Sequence, residues 1–82
     1  FNKRCEIGTG GNIFFNMANI HVTCSINNCT YYEYWMPTST ADFATIETIN
    51  LNNGNVRSFD KPGLGLTLDN KWIKDNKIFT IK

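Results

Sequence analysis

The sequence predicts a mainly β fold: a small antiparallel sheet or meander, closed as a sandwich or partly open barrel, with one short helix near residues 40–50 and an α+β arrangement as the alternative. Three observations predict it. Short segments rich in β-branched and aromatic residues recur along the chain; turn formers such as Asn52-Asn53-Gly54-Asn55, Pro62-Gly63, Asp69-Asn70 and Asp75-Asn76 punctuate them; and 82 residues suit one domain, 1–82, with a modest core. Leu, Ile, Val and Phe supply 21 of the 82 residues, above the roughly one-fifth level below which chains tend to stay disordered.

The elements follow in order. Residues 12–17 and 19–24 read as two strands, the second because Ile20, Val22 and Cys24 alternate with Asn19, His21 and Thr23, which places His21 on a polar face. Residues 30–36 (Thr-Tyr-Tyr-Glu-Tyr-Trp-Met) are the strongest strand, stopped by Pro37, which lacks a backbone donor. The helix near 40–50 is suggested by capping hydroxyls at Thr38, Ser39 and Thr40, by Asp42 in a first turn, and by Phe43, Ile46 and Ile49 recurring every three residues; its β-branched content argues against it. Asn53-Gly54 suits a tight reversal with positive φ. Beyond it, Leu64, Leu66 and Leu68 alternate, and segments 71–74 and 77–82 complete six to eight short strands.

Composition narrows the function. Eight Lys and Arg against seven Asp and Glu give a net charge of +1, so no field gathers phosphates and nucleic acid is not an expected partner. No run approaches the roughly 18 apolar residues of a membrane span, so membrane insertion is not expected. A start at Phe1, cysteines in so small a domain, twelve Asn and nine Thr point to a secreted or cell-surface protein. Asn28-Cys29-Thr30 is a glycosylation acceptor pattern. Cys5, His21, Cys24 and Cys29 match a Cys3His zinc set in number but lack its paired spacing, Gly8-Thr9-Gly10-Gly11 lacks the Lys-Ser/Thr ending of a phosphate loop, and no nucleophile or carboxylate motif appears; no metal, cofactor or catalytic residue is therefore expected, with His21 the first to test.

Three cysteines leave one over when two bridge. Chain entropy separates the options little, about 2 kcal/mol for Cys24 with Cys29 and about 3 for Cys5 with Cys24. The turn formers in Ser25-Ile26-Asn27-Asn28 favour a Cys24–Cys29 disulfide, leaving Cys5 free or available for a homo-oligomer.

The aromatic segment is the most informative feature. On a strand, Tyr32, Tyr34 and Met36 share one face and Tyr31, Glu33 and Trp35 the other; Glu33 is expensive to bury unpaired, so its face is expected to meet solvent. The expected function is an exported, non-enzymatic recognition module that binds a glycan or protein through Tyr31, Glu33 and Trp35, joined by Tyr32 and Tyr34. The alternatives are a structural subunit of a surface assembly (fibre, pilus or coat), held by strand pairing or through Cys5, and a small secreted inhibitor or toxin using loop 52–55 or 25–28.

Overall fold

The computed structural model describes residues 2–8 and 10–81. Strand β1 (Cys5–Gly8) leads into helix α1 (Ile13–Ser25) and strand β2 (Cys29–Glu33), followed by a 3-10 turn at Thr38–Thr40 and a short helix α2 (Asn70–Asn76). The two strands lie side by side in parallel, pairing Cys5 with Cys29, Ile7 with Tyr32 and Gly8 with Glu33, so α1 is the crossover that a parallel pair requires. The expected antiparallel meander, sandwich or barrel is thus incorrect: the protein is a small open parallel pair with helices. The α+β alternative fails with it, because residues 40–50 hold no α-helix while 13–25 and 70–76 do. The strand expected over 77–82 is also missing from 77–81, and Lys82 and Thr9 lie outside the described residues.

Helix α1 forms where two strands were expected because a helical stripe buries more than either strand face would. Ile13, Asn16, Met17 and Ile20 stand at positions i, i+3, i+4 and i+7 and are all buried. Asn12 caps the helix, its side chain accepting from the amides of Phe14 (3.1 Å) and Phe15 (3.3 Å). Val22 and Cys24, expected beside Ile20 on a buried strand face, are instead exposed. His21, expected on a strand, sits on α1, where its Nε2 lies 3.3 Å from the Leu64 carbonyl. Asn16 is the polar member of the stripe: its Oδ1 accepts from the Gly10 amide at 2.9 Å and fastens the glycine-rich loop to the helix.

Among its described residues, the second half packs on this unit without regular strands. Ile49 completes the buried cluster, and Phe14, Val56, Phe59, Leu64 and Leu66 pack around it. The helix expected near 40–50 is interrupted by Ala44, whose φ of 67° is outside helical space, and by Asp42, whose carboxylate is drawn away to Tyr34 and to the Ile49 amide. Residues 44–46 instead run beside 67–69, with Ile46 N–H donating to the Thr67 carbonyl and Asp69 N–H to the Ala44 carbonyl, both at 2.9 Å. Glu47 clasps the same region: it accepts from Lys61 Nζ at 2.7 Å and from the Thr67 amide and hydroxyl, and these partners, Lys61 foremost, lower its pKa to about 2. Helix α2 is capped by Asp69, and its Trp72 stacks on Phe43 with ring centroids 5.3 Å apart. At Gly65 only glycine serves, since φ is 75° and a Cβ would come within 2.5 Å of the Phe59 side chain.

The radius of gyration, 14.3 Å, exceeds the roughly 12 Å of a compact chain of this length. Past α2 the chain leaves Ile78, Phe79 and Ile81 exposed at 93%, 73% and 86%.

Candidate binding groove beside β2

Strand β2 and the residues just after it turn their tyrosines to two sides. Tyr32 and Tyr34 point inward and pack on the core, with ring centroids 6.3 Å apart; Tyr32 donates its hydroxyl to the Asn16 carbonyl at 3.3 Å and Tyr34 donates to Asp42 Oδ2 at 2.7 Å. Burial first, and then the Asp42 carboxylate, push the Tyr34 phenol well above its ordinary range. Tyr31 and Trp35 are 67% and 69% exposed, and Glu33 is exposed as well. Met36, assigned by alternation to the side of Tyr32 and Tyr34, is exposed because the strand ends at Glu33 and the alternation ends with it.

Tyr31 stands between two hollows. The larger, about 450 Å³, is a groove whose floor is Ile20, Thr23 and Cys24 of α1, whose near wall is residues 29–32, and whose far wall is the 51–56 loop. The smaller, about 60 Å³, lies among Arg4, Cys5, Glu6 and Asn28. The far wall is held by the Asn53-Gly54 reversal, in which Asn52 and Asn55 exchange backbone hydrogen bonds of 2.9 Å and both central residues have positive φ. Among the described residues, no charged side chain lines the larger groove; its chemistry is that of hydroxyls, an amide, two thiols, aromatic rings and aliphatic surface.

Of the residues expected to bind a ligand, Tyr31 and Tyr32 reach this groove and Glu33, Tyr34 and Trp35 do not line it; Cys24 and Cys29, expected as a disulfide, and Gly54 and Asn55 of the 52–55 loop also line it. Leu51, Val56 and the floor supplied by α1 were missed. The Asn-Gly pair signalled the reversal, but nothing local shows that the reversal folds back across β2. Among the described residues, no group of three or more His, Cys, Asp or Glu is gathered to hold a metal ion, and no helix is long and apolar enough to cross a membrane.

The three cysteines are free thiols in the structure. Cys24 and Cys29 border the larger groove, whereas Cys5 and Cys29 face each other across the strand pair. Burial, a hydrogen bond with the Cys29 thiol and its charge push the Cys5 thiol up.

Compared with known proteins, the chain matches no family model, no curated protein and no solved structure.

Proposed function

We propose that this chain is an exported, non-enzymatic recognition module that takes an extended protein segment into the groove beside β2, with Tyr31 as the principal contact. The observation that carries this reading is an exposed tyrosine on the rim of an uncharged groove of about 450 Å³, on a sheet of only two strands among the described residues. A strand at a sheet edge is a template for an incoming strand, which brings its own backbone donors and acceptors. Tyrosine adds a large contact area at low entropic cost, with a hydroxyl that stays wet. Trp35, just past the end of β2, would extend the aromatic surface along the incoming chain. Export rests on the Asn- and Thr-rich, nearly neutral composition and the three cysteines in so small a domain.

The test begins with selection of ligands from a random-peptide display library and, in parallel, from a glycan array, because the same ring face can stack on a sugar. Tyr31→Ala, with its fold checked by circular dichroism, is expected to bind a selected peptide at least about tenfold more weakly, the loss of a typical interface anchor. Equal affinity of parent and variant would remove the groove reading, and selection of glycans alone would replace the protein ligand with a sugar.

A second reading, a subunit of a surface assembly, is favoured by the exposed Ile78, Phe79 and Ile81, which would be covered if residues 77–81 of one copy paired along β2 of the next. Self-association that grows with concentration and is lost on removing residues 77–82 is its signature. A chain that stays monomeric in sedimentation at every concentration would exclude it.

A further inference from the structure

We infer that Cys5 and Cys29 are the chain's disulfide-forming pair, a reversible oxidation site that staples the first residue of β1 to the first residue of β2, and that Cys24 remains a thiol on the groove floor. The register pairs Cys5 directly with Cys29, and adjacent strands lie about 4.8 Å apart, inside the Cα separation of roughly 4.4–6.8 Å that a disulfide spans. The pair is fastened on its N-terminal side, and beyond it the register shifts before Ile7 meets Tyr32. Cys5 N–H donates to the Asn28 carbonyl at 3.0 Å, and the Asn28 side-chain amide donates to the Lys3 carbonyl at 2.6 Å. After burial, the neighbouring Cys29 thiol adds to the raising of the Cys5 pKa, in keeping with the pairing of the two residues.

The competing pair is placed differently. Cys24 lies in the last turn of α1 and is exposed; it lines the groove as Cys29 does, but no strand register pairs the two. The turn formers between them favour that bridge locally; the strand register outweighs them once the chain is folded. The inference does not depend on what the groove binds.

The oxidant is a low-molecular-weight disulfide such as oxidised glutathione. One protein thiolate attacks it, forming a mixed disulfide and releasing a glutathione thiolate. The second protein thiolate then attacks the protein sulfur of that mixed disulfide, forming the Cys5–Cys29 bond and releasing a second glutathione. Two protein thiols are oxidised, one glutathione disulfide is reduced, and the two protons end on the two glutathione thiols.

Cyanogen bromide makes the pairing readable, because Met17 and Met36 divide the chain into 1–17 with Cys5, 18–36 with Cys24 and Cys29, and 37–82. The folded chain is oxidised with oxidised glutathione, its remaining thiols are blocked with N-ethylmaleimide, and the fragments are weighed without reduction. Expected is a single blocked thiol, at Cys24, with fragment 1–17 joined to 18–36. The link should persist in Cys24→Ser and disappear in Cys29→Ser. A free fragment 1–17 with the bridge inside 18–36, a link lost in Cys24→Ser, disulfide-bonded dimers, or three blocked thiols would each overturn the inference.

Discussion

Ile20→Ala is expected to destabilise the protein by about 2–5 kcal/mol, while Val22→Ala, two residues along, should cost less than about 1 kcal/mol. Ile20 is 1% exposed at the centre of the cluster with Ile13, Met17 and Ile49, so truncation removes buried surface and leaves a cavity among side chains held by a helix. Val22 is 49% exposed on the far side of α1. The pair discriminates between architectures, because a strand would set both side chains on one face and make both losses large. Urea unfolding of the two variants measures the difference. In a domain whose whole stability is on the order of 5–15 kcal/mol, Ile20→Ala should shift the midpoint far and Val22→Ala hardly at all.

The second large effect is expected at Asp42. Its Oδ2 accepts from the Tyr34 hydroxyl at 2.7 Å and from the Ile49 amide at 2.9 Å, tying the loop after the 3-10 turn to the inner face of the aromatic segment. Asp42→Ala leaves two partly buried donors without an acceptor, which should cost about 2–4 kcal/mol; Tyr34→Phe removes one donor together with its need and should cost about 1 kcal/mol. Proton linkage gives an independent readout. The Tyr34 pKa is raised above its ordinary 10, so at high pH the folded state holds a proton that the unfolded chain releases. This contribution is fully present below about pH 10 and is lost as pH rises from there toward the folded value. Tyr34→Phe should flatten the alkaline fall in unfolding free energy, and an unchanged alkaline slope would show that this hydrogen bond does not hold the phenol neutral.

Local features were legible in the sequence and long-range ones were not. The 52–55 reversal depends on two adjacent residues that tolerate positive φ, and the strand character of residues 30–33 depends on a run of β-branched and aromatic side chains; both can be read from a few neighbours. Helix α1 was hidden by Asn16. A polar residue in the second position of the buried stripe broke the helical pattern, while the accidental alternation of Ile20, Val22 and Cys24 imitated a strand. Its cap, Asn12, was there to be read. At 40–50 the opposite happened: hydroxyls and an aspartate imitated a helix start, but Asp42 is recruited by a tyrosine eight residues earlier and Ala44 turns the chain aside.

The site divides in the same way. Tyr31 on an outward face follows from the cost of burying Glu33, a property of the strand itself. The groove follows from where α1 and the 51–56 loop come to rest, which no local pattern encodes. The cysteines show the difference most plainly. The turn formers in 25–28 point to Cys24 with Cys29, and only the parallel register, established through the helical crossover, brings Cys5 opposite Cys29.

Everything positioned here depends on β1 and β2 running in parallel on either side of a helical α1. Nuclear Overhauser contacts in the isotopically labelled chain test that most directly. The account predicts successive amide–amide contacts through residues 13–25 and cross-strand contacts joining Ile7 to Tyr32 and Cys5 to Cys29. Extended-chain shifts over 13–24, with α-proton pairs linking those residues to an antiparallel neighbour, would contradict it.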